Sequence, residues 1–263
     1  MARARPPGSP PFPAPRRRAL AMMALVVATL ALAVAHAPAV LIDGALAQAS
    51  AGRFRLALPA GTLWHGEARL ATSDGGDAIV PLSWLVWDFE PAALGAATLR
   101  WRLRIDGAPP ARLDLGLRGM TVEHLALELP PAAALAPLAH AAARAGWRGI
   151  LAVKIERLAC DWQQHCAGHI DVAWRAAGVD ILPGMALGDH RVATELTPAA
   201  AKLQISTTRR QALALDGRIE IPVGAPPRIA LDLGGDAQLL DRLRGMLAEL
   251  RPTGDGQRLR IRY

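Results

Sequence analysis

The chain has 263 residues, 52% of them hydrophobic, and a formal net charge of +7 from 30 Lys and Arg against 23 Asp and Glu. A pI of about 10.7 would ordinarily point to nucleic acid. But Arg3, Arg5, Arg16, Arg17 and Arg18 all precede the first acid, Asp43, and the 25 basic residues that follow nearly balance the 23 acids, so a nucleic-acid surface on the body of the protein is excluded.

Residues 1–18 carry Pro6, Pro7, Pro10, Pro11, Pro13 and Pro15 ahead of the triple arginine, and read as a disordered Pro/Arg-rich tail. From Ala19 to Ile42 the chain is apolar, broken only by Thr29, His36 and Pro38. As one helix this run would be roughly 36 Å long, enough for a hydrocarbon core. Arg16, Arg17 and Arg18 on its N-terminal side act as topology determinants: they predict that end in the cytoplasm and everything after Ile42 exported. A cleavable signal peptide shares this pattern, with a small-residue site at Ala45-Leu46-Ala47, but the run exceeds the usual h-region and favours an uncleaved anchor over 19–42. The remainder, 43–263, is long enough for a proper core.

Strict alternation dominates that remainder. Trp101, Leu103 and Ile105 fall on one face, with Arg100, Arg102, Arg104 and Asp106 on the other, the period-2 signature of a half-wet strand. The pattern recurs at Leu113/Leu115/Leu117, Leu125/Leu127/Leu129, Leu151/Val153/Ile155 and Ile170/Val172/Trp174. It continues at Leu203/Ile205, Leu213/Leu215, Ile219/Ile221, Ile229/Leu231/Leu233 and Leu259/Ile261/Tyr263. Turn signals at Asp106-Gly107, Asp216-Gly217, Gly234-Gly235 and Gly254-Asp255-Gly256 punctuate the runs. The fold class is therefore mainly β, an antiparallel sheet behind an N-terminal helix.

Two short helices are expected, over Pro131–Ala145 and Asp236–Leu250, the latter capped by Asp236 and stopped by Pro252. Recurrent glycines at Gly66, Gly149, Gly168 and Gly217 suggest two similar halves, about 50–130 and 146–263.

In an oxidising exported compartment Cys160 and Cys166 are expected to form a disulfide. The competing reading, zinc held with His165 and His169, suffers from a five-residue gap between the cysteines and from His165 directly beside Cys166. Ser9, Ser50, Ser73, Ser83 and Ser206 lie in no nucleophile elbow, and the histidines at 36, 65, 124, 140, 165, 169 and 190 are scattered. Asp74 and Asp77 lack calcium-loop spacing. These readings give no catalytic residues, no metal, no cofactor and no small-molecule substrate. Trp64, Trp84, Trp87 and Trp101 are read as core.

The order and spacing of several segments resemble a known family: Gly61-Thr62-Leu63-Trp64-His65-Gly66-Glu67-Ala68, then Pro81-Leu82-Ser83-Trp84 and the alternating strand after Leu99. Gly149-Ile150-Leu151, Ala173-Trp174-Arg175-Ala176 and Leu187-Gly188-Asp189-His190-Arg191 follow. Together they are similar to protein N of the type II secretion system of Gram-negative bacteria. The resemblance implies a bitopic inner-membrane protein with a β-rich periplasmic domain. It would be a non-enzymatic protein-transport component that contacts other secretion components and serves export of folded proteins through the outer-membrane secretin. The alternative class is an anchored envelope protein of AsmA type that handles lipid or assists outer-membrane biogenesis; the charged second face of most strands argues for a filled core instead.

Overall fold

A computed structural model describes residues 15–73, 79–131, 146–180, 184–246, 253 and 258–262. The N-terminal apolar run is not one helix. Helix α1 spans Pro15–Ala35, the chain breaks around Pro38, and helix α2 resumes over Val40–Ala49. Proline lacks an N–H and its ring opposes continuation of the helix, so the break falls where the residue dictates. Ala39 is buried and Ile42 packs on the sheet, so the end of the expected anchor belongs to the folded body. No helix of the described residues is long and apolar enough to cross a membrane.

Among the described residues the remainder is a 13-stranded sheet in strict chain order, every neighbouring pair antiparallel. Its strands are β1 Phe54–Gly61, β2 His65–Ser73, β3 Ile79–Phe89, β4 Thr98–Ile105, β5 Ala111–Gly116 and β6 Gly119–Leu129. Then follow β7 Trp147–Asp161, β8 Cys166–Val179, β9 Ala186–Leu196, β10 Ala200–Arg210, β11 Leu213–Pro222, β12 Arg228–Gly235 and β13 Arg258–Arg262. A short 3-10 helix, Pro91–Ala96, links β3 to β4. Helix α3, Ala237–Met246, follows β12; Asp236 Oδ1 accepts from the backbone N–H groups of Gln238 and Leu239 at 3.0 and 3.2 Å, the expected cap. Apart from Pro131, the other expected helix lies outside the described residues.

Register carries the alternation from strand to strand. One apolar row runs Leu127, Val153, Val172, Val192 and Ile205; the next runs Leu129, Leu151, Trp174 and His190. On the opposite face the charges pair across neighbouring strands: Arg100 with Asp114 at 2.7 Å, Arg157 with Glu123 at 3.7 Å and Arg262 with Asp232 at 2.9 Å. Each such exposed pair is worth only about 0.2–1 kcal/mol. They order the wet face; the apolar face stabilises the fold.

That apolar face gathers into two cores. Near the N-terminal edge, Ala39, Leu56, Ala68, Trp87 and Trp101 are buried, with Ile42 and Leu46 of α2 laid against them. Near the other edge, Leu213, Leu233, Leu259 and Ile261 pack with Leu239 and Leu240 of α3 and with Val179 and Leu187. Between these cores the row Leu127, Val153, Val172, Val192 and Ile205 is only half-buried.

Two sequence readings shift. Asp216-Gly217 lies inside β11 and is not a turn; a Cβ on Gly217 would come within 2.4 Å of the Ala230 carbonyl oxygen, so the glycine answers a close approach of β12. Gly234-Gly235 closes β12, and Gly254-Asp255-Gly256 lies outside the described residues.

Candidate functional site

The most elaborated local structure is the β1–β2 connection, Gly61 to Gly66, where the helical N-terminus meets the sheet. Thr62 N–H donates to the His65 carbonyl at 2.8 Å, and Thr62 Oγ1 accepts from the N–H groups of Trp64 and His65, both at 3.2 Å. Gly61 has φ of +90°, and a Cβ there would sit 2.4 Å from His65 oxygen; a Cβ on Gly66 would meet the Trp87 ring at 2.5 Å. Only glycine fits either place.

Three indoles hold this connection and each spends its N–H on a distant backbone carbonyl. Trp87 donates to Thr62 oxygen at 3.0 Å, Trp101 to Leu63 oxygen at 3.0 Å, and Trp64 to Val34 oxygen at 2.8 Å near the end of α1. Trp64 stacks on Trp101 with centroids 6.3 Å apart, and Phe89 fits between them at 4.8 and 5.3 Å. Backbone bonds complete the clamp: Leu63 N–H to Ala37 oxygen at 2.8 Å and Ala39 N–H to Gly61 oxygen at 3.1 Å. With every indole N–H committed to backbone, the cluster is a brace between α1 and the sheet. Trp84 does not join it; it stands on the other face of β3.

Asp43 ties α2 down. It is buried, takes two hydrogen bonds from the Arg55 guanidinium at 3.0 and 2.7 Å, and accepts the Leu56 N–H at 2.7 Å. The Arg55 hydrogen bond holds its carboxyl below the usual carboxylate range. Nothing in the sequence marked this acid, because its partner lies on another element.

Cys160 and Cys166 are register partners on β7 and β8, and the structure joins them, with Cα atoms 4.0 Å apart. Asp161 organises the turn between them. Its carboxylate accepts from Gln163 N–H and His165 N–H, both at 2.9 Å, and lies 3.0 Å from His165 Nδ1; the His165 backbone bond holds the Asp161 carboxyl low. Trp162 Nε1 reaches across to the Leu117 oxygen at 3.0 Å and ties this turn to the β5–β6 turn.

The remaining sequence candidates do not converge. His65 pairs with Asp88 at 3.3 Å, His36 lies against the Leu32 carbonyl in α1, and His124 and His169 are exposed, while His140 lies outside the described residues. Ser50 closes the α2–β1 connection by accepting from Phe54 N–H at 3.0 Å. Among the described residues no group of three His, Cys, Asp or Glu stands as a metal-ligand set.

His190 is the exception that sequence reasoning passed over. It is 3% exposed on β9, its ring 6.0 Å from Trp174. Thr207 Oγ1 gives its proton to Leu215 oxygen at 3.0 Å, so His190 Nδ1, 3.2 Å away, is the donor toward that hydroxyl. Nε2 is then a buried acceptor without a partner among the described residues. Burial pushes the His190 pKa down, against smaller opposing effects of Asp189 and Asp216. Among the described residues no hydroxyl or thiol lies at Nε2 for the neutral imidazole to activate.

A continuous antiparallel meander, braced by helices on its apolar face and laced by ion pairs on the other, is a scaffold carried behind an apolar helix. The family model described as type II secretion system (T2SS), protein N matches residues 53–260, nearly the whole sheet, and the chain belongs to that family. It is thus a component of type II secretion. No curated protein and no solved structure gives a significant match.

Proposed function

We propose that the protein is a non-enzymatic, inner-membrane-anchored part of the secretion apparatus that supports export of folded proteins from the periplasm across the outer membrane. In this reading α1 is the anchor, Arg16, Arg17 and Arg18 keep its N-terminus in the cytoplasm, and the sheet stands in the periplasm, contacting other secretion components. The observation that carries the reading is the exposure of α1: Leu20, Met22, Leu25 and Leu30 are each 60–69% exposed, uncovered by any of the described residues. Its apolar part, Ala19–Ala35, would be roughly 26 Å long, near the lower limit for crossing a hydrocarbon core. The Cys160–Cys166 bond fits an oxidising compartment, where we propose that it forms and pins the β7–β8 turn.

The test is topological. A reporter fused after Tyr263 is expected to be active only in the periplasm, and carbonate washing to leave the chain in the membrane. A soluble chain beginning near Gln48 would replace the anchor with a signal peptide. Alanine at His65, His124, His169, His190 or Asp189 is expected to leave secretion near normal, whereas loss of secretion from a folded, anchored variant would expose a site. The AsmA-type alternative is favoured by one observation, the half-buried apolar row from Leu127 to Ile205 across β6–β10; lipid recovered from the purified chain in stoichiometric amount would support it.

A further inference from the structure

Among the described residues, most exposed large apolar side chains beyond α1 lie on one rim of the sheet. In a strict meander the connections alternate between two rims, so the ends of the odd-numbered strands share one. That rim carries Leu94 in the 3-10 helix, Leu117 and Met120 at the β5–β6 turn, and Trp162 at the β7–β8 turn; Ile221 and Val223 at the end of β11 continue it. Leu117 is 86% exposed and Trp162 60%. It is also the rim where α1 joins, because Ala37, Ala39 and Val34 are bonded to the Gly61–Gly66 connection. Val40 and Leu41, which open α2 there, are more than half exposed, and Leu58 near the end of β1 is 78% exposed. At the opposite rim the described turns carry Asp106-Gly107, Gln211 and Asp236, and among the described residues there only Val80 and Ile150 are exposed large apolar side chains.

These side chains are held outward by structure. Leu58 takes φ of +53°, a strained conformation for leucine, in a bulge beside Pro59. Trp162 is fixed between the disulfide and its bond to Leu117 oxygen, so the two turns present one preorganised apolar tip. Arg118 beside Leu117 is exposed and in no ion pair among the described residues, placed for a phosphate group. Tryptophan with leucine and a flanking arginine is the composition that settles at a membrane–water interface.

We propose that this rim rests on the phospholipid surface that α1 enters, with Leu94, Leu117 and Trp162 at headgroup depth, so that the sheet stands on the membrane by its α1-bearing end. The proposal rests on the anchoring of α1. The test reconstitutes the full chain in phospholipid vesicles containing lipids with a nitroxide quencher near the headgroup. A bimane label is placed on Leu94→Cys, Leu117→Cys or, at the opposite rim, Gln211→Cys, with the native disulfide left oxidised. Quenching is expected to be several-fold stronger at 94 and 117 than at 211, with circular dichroism unchanged because all three positions are exposed. Quenching no greater than at 211, in a chain that still resists carbonate extraction, would overturn the proposal and leave the anchor standing. Shielding that appears only when other secretion proteins are added would overturn it in favour of a protein partner. Release of the chain by carbonate would reject the anchor itself, and this inference with it.

Discussion

The two ends of the sheet solve the same problem differently. Both must cover the apolar face of an antiparallel meander. The N-terminal end does so with α2 and three tryptophans whose N–H groups all go to backbone, so its core is also a polar network reaching α1. The C-terminal end uses the leucines of α3 on an aliphatic core, where His190 Nε2 is a buried nitrogen without a partner among the described residues. The difference teaches that the first end is built to transmit position from the helix to the sheet, and the second to be buried and nothing more.

The largest effect is expected for Trp101→Ala. It removes a buried ring and leaves the Leu63 carbonyl unpaired, at a cost of about 4 kcal/mol. Hydrogen exchange is expected to rise first in β1–β5; equal loosening of β11–β13 would mean that the ends are one cooperative unit. Leu240→Ala, at a fully buried site in α3, is expected to cost about 3 kcal/mol in denaturant unfolding, with exchange rising first in β11–β13.

Smaller effects sharpen the same contrast. Cys160→Ser with Cys166→Ser is expected to lower stability by roughly 2 kcal/mol in the loop-closure picture, read as a lower denaturation midpoint. Asp43→Ala is expected to cost about 2 kcal/mol, because it strands the Leu56 N–H while Arg55 can turn to water. Since the folded-state pKa of Asp43 is depressed, its contribution is complete above the unfolded carboxylate pKa of about 3.9 and is lost as pH falls through the folded value. His190 gives the mildest effect. Its folded pKa is also depressed, so the fold favours the neutral ring; that contribution is complete above about pH 6.5 and fades as pH falls from there toward the folded value. Thermal melts between pH 7.5 and 5 are expected to show this decline, and His190→Leu to flatten it.

Much of the fold was legible because sheet patterning is local. The runs at Trp101–Ile105, Leu125–Leu129 and Ile229–Leu233 became β4, β6 and β12 with the expected faces. Strands β1 and β9 were harder to read. β1 carries Pro59 and the outward Leu58, and β9 puts His190 and Thr194 into positions where alternation would put apolar residues. The tryptophans were read as core, and Trp64, Trp87 and Trp101 are; their bonding to the chain leaving α1 was not readable, nor was the buried Asp43–Arg55 pair.

By itself, then, the sequence determined the sheet, its antiparallel sense, its wet and dry faces, the Asp236 cap and the resemblance to the secretion family, because each depends on residues a few positions apart. Only the tertiary structure decided that the apolar run breaks at Pro38 and hands its last residues to the sheet. It alone set Trp101 to hold Leu63 and Trp64 to hold Val34, and put the exposed apolar tips on the rim where α1 joins. The physical reason is range: periodicity reports which face a side chain takes, but a hydrogen bond between residues 30 or 38 positions apart exists only once the intervening strands have fixed the geometry between them.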